Sequence, residues 1–370
     1  MDPRAYWVGF NLVKGIGSVR LDGLLRYFGS LEIAWQAPRE ALEAAGLSGK
    51  VAGNLLKVRR DVDLEKILDN ILSTGIQVLT WESEDYPRRL REVEQAPPVL
   101  YVSGSLLADD EWAVAIVGTR RVTAYGRQMA EELAGYLAGN GVTVVSGLAR
   151  GVDGFAHKAA LTAGGRTFAV LGSGVDRIYP PEHRQLAAEI SRQGAVISDY
   201  APGTPPEGSN FPPRNRIISG LSLAVIVVEA GNSSGALITA RFAADQGRDV
   251  FAVPGNVHAP QSIGTNQLIR DGARPLLQPQ DVLEALNLQQ IQEYRTARHV
   301  IPTDEVEAKL MELVAGEPVH VDELSRLAGY SIDKVSAALT MLELKGMVRQ
   351  VGGMQYVMVR EMTAFYGTES

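Results

Sequence analysis

The sequence predicts an α/β fold: a mostly parallel sheet with helices on both faces, preceded by a small helical domain and followed by a three-helix unit with a β wing. Three observations carry this. Apolar runs lacking a polar face alternate with amphipathic stretches between residues 112 and 286, as parallel strands covered on both sides require. Before residue 70 glycines break the chain into short helical patterns, and after residue 303 an apolar helical period recurs three times and gives way to two short β runs. The boundaries are therefore 1–70, 71–288, a polar Gln-rich linker at 289–302, and 303–362.

In the first segment Lys14-Gly15-Ile16-Gly17-Ser18 precedes Leu21, Leu24, Leu25 and Phe28 at helical spacing. Gly-Ile-Gly before a helix is similar to the hairpin of helix-hairpin-helix and SAM-like modules, whose amides can hold a phosphate. A turn that needs glycine only for its backbone angles is the better reading of the same residues. From Gly75 two β runs follow, Ile76 to Trp81 and Val99 to Val102, and they lead into the main sheet.

The centre of the chain is Trp112 to Gly126. An apolar run ends in Gly118-Thr119-Arg120-Arg121, and a helical pattern continues from about Thr123 to Ala138. Strand, small-residue turn and helix in that order build an anion site at a helix N-terminus. The turn has neither GxGxxG nor a Lys-Ser/Thr pair, so it matches neither the dinucleotide fingerprint nor the P-loop. Further apolar runs stand at Val142 to Val145, Thr167 to Leu171, Ala195 to Ser198, Leu223 to Val228 and Val250 to Val253. Ligands of such sheets sit at the carboxyl ends of the strands.

Four turns are expected to converge there. Beside Gly118 to Arg121 stands the turn from Ser146 and Gly147 to Arg150, Gly151, Val152 and Asp153. The third, Phe211-Pro212-Pro213-Arg214-Asn215-Arg216, reads as a loop before a strand, and the fourth, Gly231 to Ser234 and Gly235, opens a helix ending at Asp245. Guanidinium forks suit phosphates, and an aromatic ring beside arginines is the chemistry that holds single-stranded nucleic acid.

Catalysis is the competing reading. Asp153 and His157 lie four apart on one helix, and Asp199 and Glu229 end strands that point at the same pocket. No nucleophile is paired with a base, so Asp153 reads better as a helix cap and His157 as structural; no catalytic residue and no cofactor are expected.

Composition narrows the partners. The chain has 370 residues, a formal charge of −7 and no cysteine, which removes thiolate chemistry and confines any polyanion site to a local basic patch. The five histidines form no HxH or HExxH pair, so no metal is expected. Neither a leader nor an 18-residue apolar run is visible, and a cytoplasmic location without membrane contact is expected.

After residue 303, Val306, Leu310 and Leu313, then Val321, Leu324 and Leu327, then Val335, Ala338, Leu339 and Leu342 mark three helices; Lys345-Gly346 ends the last, and a hairpin runs from Met347 to Val359. This is the winged-helix pattern. Residues 303–360 carry six Lys/Arg against nine Asp/Glu, a net of −3, the wrong sign for phosphate-driven duplex binding. A protein-contact or autoregulatory role fits better.

GTRRVTAYGRQMAEELA, VVSGLARGVDGFAHKAAL, FPPRNRIISGLS, SSGALITARFAADQGRDVFAVPG and SIGTNQLIRDGA stand in order over about 112 to 272. With these motifs the chain resembles the DNA processing protein A family (DprA, also called Smf), and the flanking segments resemble those of longer members. The resemblance implies an extended Rossmann-like domain that binds single-stranded DNA, as a homodimer, and helps load the RecA recombinase on incoming DNA in natural transformation. By position it makes Arg120 the leading DNA contact, with Phe211, Arg214, Asn215 and Arg216 on the same pocket. Many members carry a lysine shortly before the Phe-Pro motif, where this chain has Glu207-Gly208-Ser209-Asn210. The runner-up is the LOG-type phosphoribohydrolases, which look similar at their glycine-rich turns but need an acid where this chain has Arg241.

Overall fold

A computed structural model of the chain describes residues 1–288, 305–314, 318–344 and 348–358. The expected linker at 289–302, the helix stop at Lys345-Gly346 and the outer ends of the hairpin lie outside these residues.

The first compact unit is Met1–Leu288. It opens with helices α1 (Arg4–Asn11), α2 (Ser18–Phe28), α3 (Leu31–Gln36), α4 (Arg39–Ala44), α5 (Gly49–Asp61) and α6 (Leu64–Ser73). The chain then adds β1 (Gln77–Thr80), α7 (Arg88–Arg91), β2 (Val99–Gly104), β3 (Ala113–Val117), α8 (Ala124–Gly139), β4 (Thr143–Ser146), α9 (Val152–Thr162) and β5 (Thr167–Val170). It continues through α10 (Arg184–Gln193), β6 (Ala195–Ser198), α11 (Phe211–Gly220), β7 (Ala224–Val227), α12 (Gly235–Asp245) and β8 (Asp249–Ala252). Helix α13 (Ile263–Arg270), β9 (Arg274–Pro275) and α14 (Gln280–Ala285) close the unit.

The nine strands lie in the order β1-β2-β6-β5-β4-β3-β7-β8-β9. The pairings β1–β2 and β2–β6 are antiparallel, and from β6 to β9 all are parallel. The sheet winds outward from β3 through β4, β5 and β6, then returns to place β7 on the other side of β3. That reversal opens a crevice beyond the carboxyl ends of β3 and β7, the switch point at which such sheets hold ligands.

Every residue of β3, β4 and β7 is buried, so each strand packs on both faces. Leu100, Val102, Phe168, Val170, Ala195 and Ile197 join the core beneath α7, α11 and α12, while their neighbours Tyr101, Ala169 and Val196 face the opposite core, as the two-residue side-chain period of a strand dictates. Each fully buried Val or Ile contributes roughly 1.5–3 kcal/mol of transfer free energy.

Helices α1 to α6 share that second core: Trp7, Phe10, Leu55 and Leu68 cluster with Tyr101 and Val196. The Tyr101 hydroxyl donates to Asn11 Oδ1 at 3.0 Å, and Asn11 Nδ2 donates to the Asp199 carbonyl at 3.2 Å. The change of pattern near residue 70 is therefore not a break in packing.

In the second unit helices Glu305–Leu313, Val321–Ala328 and Ile332–Leu344 surround a core that includes Leu310, Leu324, Leu339 and Leu342. Strands β10 (Val319–His320), β11 (Val348–Gly352) and β12 (Gln355–Met358) form an antiparallel sheet ordered β10-β12-β11. Three helices with this sheet make a winged helix, as the apolar spacing predicts. Among the described residues no helix is long and apolar enough to cross a membrane, and no group of three or more His, Asp or Glu is placed to hold a metal.

Candidate nucleic-acid interface

A cleft of about 780 Å³ lies at the switch point, lined among others by Gly118, Thr119, Arg120, Arg121, Phe211, Arg214, Asn215, Ser234 and Gly235. All four expected turns thus contribute to one opening, the second through Ala149 and Asp153, while its Gly147 and Arg150 border a small recess beside the cleft.

The first turn is clamped from below. A Cβ on Gly118 would come within 2.8 Å of Val152 Cβ and 3.0 Å of the Glu229 carbonyl, so the approach of β3 to its neighbours needs glycine. The buried carboxylate of Glu229 accepts from the Thr123 amide at 2.9 Å and from the Thr123 hydroxyl. Thr123 Oγ1 in turn caps α8 through the Gly126 amide at 3.1 Å. The expected phosphate at the α8 N-terminus is corrected by this: the protein's own Glu229 supplies the negative charge the helix end favours. The Thr119 amide is also taken, by the Glu229 carbonyl at 2.7 Å, and the Arg121 amide by Thr119 Oγ1 at 3.2 Å. The turn also presents two guanidinium side chains. Arg120 and Arg121 are exposed, and among the described residues neither forms an ion pair.

The second turn is built around Asp153, whose Oδ2 accepts from the Gly147 and Ala149 amides at 3.1 and 3.2 Å. It organises the turn that precedes its helix rather than capping α9, and burial raises its pKa. Ser146 is fully buried and donates to the Ile116 carbonyl at 2.6 Å, which ties β4 to β3 and keeps its hydroxyl out of the cleft. Gly151, at φ +77° and ψ −131°, lets this turn rest on the backbone of Thr119 and Arg120. Arg150 pairs with Glu182, and both are about half exposed.

The third stretch differs most from expectation. Phe211 is not on a loop before a strand: it starts α11, with proline at the first helical positions, where a missing amide hydrogen costs nothing. Arg214 and Arg216, two apart on a helix, consequently point to different sides. Arg214 is only 5% exposed and lies under the cleft, its Nη1 donating to the Gly147 carbonyl at 2.8 Å and to the Val170 carbonyl. Burial pushes its pKa down to about 10, against the attraction of Asp153, and Arg120 repels it further; among the described residues its Nε has no hydrogen-bond partner. Arg216 turns away to a 2.7 Å ion pair with Asp199, so neither it nor Asp199 borders the cleft. Asn215 Nδ2 donates to the Gly235 carbonyl at 3.3 Å, joining α11 to α12.

Sequence reasoning missed Tyr179, which borders both cleft and recess and packs on Phe211. Its position just before Pro180-Pro181 was visible, but its arrival at this cleft depends on the path of the chain between β5 and α10.

The acid/base pair does not assemble. His157 is wholly buried; its Nδ1 lies 2.7 Å from Thr167 Oγ1, which itself donates to the Val144 carbonyl at 2.7 Å, so the ring donates and Nε2 keeps its lone pair. Burial, with repulsion from His183 and Arg214, pushes its pKa down to about 3 from 6.5. Below about pH 6.5 the unfolded chain gains a proton that the native ring refuses, so the stability is complete above that pH and declines by up to about 1.4 kcal/mol per unit as pH falls. Urea midpoints are expected to drop between about pH 7.5 and 5, and the drop should be shallower in His157→Gln. An equal decline in both proteins counts against a neutral buried ring.

Fold and cleft define an α/β protein with an arginine-rimmed crevice at the switch point of its sheet, followed in sequence by a winged helix. Residues 77–287 match the model of DNA recombination-mediator protein A, and residues 295–354 match that of the DprA winged helix domain. Protein Smf of Synechocystis is 36% identical over 390 residues, covering 95% of this chain and 98% of that protein. The X-ray structure of DNA processing protein A from Streptococcus pneumoniae superposes with a TM-score of 0.66 at 33% identity, over 76% of this chain and 97% of that one. DNA processing protein A from Helicobacter pylori, described for its single-stranded DNA binding mode, superposes with a TM-score of 0.52 at 34% identity, over 57% of this chain and 95% of that one. The chain belongs to the DNA recombination-mediator protein A family.

Proposed function

We propose that this chain binds single-stranded DNA in the switch-point cleft, without strong sequence preference, and hands it to the RecA recombinase in natural transformation or related recombination. The observation that carries the reading is the pair of exposed, unpaired guanidiniums of Arg120 and Arg121 beside the rings of Phe211 and Tyr179, in a protein of net charge −7. Unpaired arginines draw a polyanion against the overall charge, and rings favour bases that are not already stacked in a duplex. Arg214 beneath them adds positive charge held out of water, where its attraction is little screened. Contacts to phosphates and ring faces carry no sequence information, which suits binding without strong sequence preference.

The reading includes a homodimer, a cytoplasmic location and binding without catalysis. Asp153, Glu229 and Asp199 are each engaged by backbone amides, Thr123 or Arg216. The acidic winged helix is assigned to protein contact. Gel-shift titrations with single- and double-stranded DNA of one length, each at two salt concentrations, test the proposal. Tighter binding of the single strand, weakening with salt, is expected; equal or tighter binding of the duplex would sink it.

A further inference from the structure

We propose that Asn266 is a positioning residue for the cleft: it closes the loop between β8 and α13, and the closed loop braces the turn that carries Arg120 and Arg121. This rests on the single-strand reading above. Asn266 lies in SIGTNQLIRDGA, the one of the five motifs from which no residue borders the cleft. Its side chain works elsewhere. From α13 it reaches back to Gly255, where Oδ1 accepts from the amide at 3.2 Å and Nδ2 donates to the carbonyl at 3.0 Å. One primary amide, with an acceptor and a donor side by side, thus satisfies both backbone groups of a loop residue.

The closed loop meets the walls of the cleft at two points. At its far end the Ala230 amide donates to the Gln261 carbonyl at 2.9 Å, and the Ala230 carbonyl accepts from the Gly264 amide at 2.7 Å. Ala230 stands between Gly231, which lines the cleft, and Glu229, which holds the Thr119 amide and Thr123. At its near end Tyr125, in the first turn of α8, donates its hydroxyl to the Pro254 carbonyl at 3.0 Å. Asn266 fixes the chain between these braces. Without it the two move separately and ordering them falls to the bound strand, which lowers affinity without changing how many phosphates are met.

The test uses the full chain and reads hydrogen exchange at the Thr119, Ala230 and Gly264 amides beside oligothymidylate affinity at two salt concentrations. Asn266→Ala should speed exchange at these amides about tenfold, as the loss of two neutral hydrogen bonds implies, and leave β4 and β5 at the parental rate. Binding should weaken about three- to tenfold with the salt slope intact, because no charge is lost. Gly264→Ala strains the same brace from its other side, since a Cβ there would stand 2.7 Å from the Ala230 carbonyl, and should repeat the local pattern. Parental exchange at Ala230 and Gly264 in Asn266→Ala overturns the brace, and so does exchange raised equally through the whole sheet. Local acceleration with parental affinity overturns the link from loop to cleft. A parent that binds no oligothymidylate defeats the single-strand reading itself, while the exchange rates still decide the brace.

Discussion

Replacing Arg120 by alanine is expected to lower the affinity for an oligothymidylate about ten- to hundredfold, the range of one hydrogen bond to a charged group, about 1.5–3 kcal/mol. The salt dependence should flatten as well, because each phosphate contact on a single strand contributes about 0.7 to the logarithmic slope. Arg120 is singled out because it is exposed, free of ion pairs and seated on Phe211 at the mouth of the cleft. Arg120→Lys should fall between parent and alanine, keeping the charge but losing the planar fork that lies over the ring. Arg216→Gln makes the contrast: it leaves Asp199 half of a mostly buried pair, so its cost appears in stability and not in the salt slope. Titrations at four salt concentrations decide it, and an Arg120→Ala protein with the parental slope contradicts the assignment.

Gly151→Ala is expected to do more damage than any single arginine change. The backbone there sits at φ +77° and ψ −131°, a region open essentially to glycine, where another residue costs about 1–3 kcal/mol in strain. A Cβ would also collide with the Thr119 carbonyl and stand 2.9 Å from Arg120 Cα. The obstacle is backbone and not a flexible side chain, so the Gly118 to Arg121 turn must shift, carrying Arg120 and Arg121 with it. The melting temperature should fall and binding should drop below that of Arg120→Ala. A protein with unchanged melting and affinity would show that the two turns do not depend on each other.

Much of this architecture was legible because parallel strands announce themselves. Ala113–Val117, Ala195–Ser198 and Ala224–Val227 are apolar on both faces and are followed by glycine, serine or polar turns, so the strands and the carboxyl-edge site could be read from the pattern. The three winged-helix helices followed from spacing in the same way. What escaped was direction. Pro212-Pro213 reads as a loop, yet proline is at home in the first turn of a helix, and once Phe211 opens α11 the helical period sends Arg214 and Arg216 to different sides. Glu229 looked like a candidate acid; only the fold shows it bound to Thr123 across 106 residues of sequence. Tyr179 belongs to the same class, delivered to the cleft by a connection without regular period. The common core of the N-terminal helices and the sheet was hidden too, because an amphipathic helix records that it has a partner and not which one.

The most direct measurement is photocrosslinking of an oligothymidylate containing 4-thiothymidine to the full chain, with the attached peptides mapped. Crosslinks concentrated on residues 118–121, 179 and 208–215, and lost on competition with unlabelled single strands, are predicted. Crosslinks confined to residues 305–358, or spread evenly over the surface, would contradict a cleft built for one flexible strand.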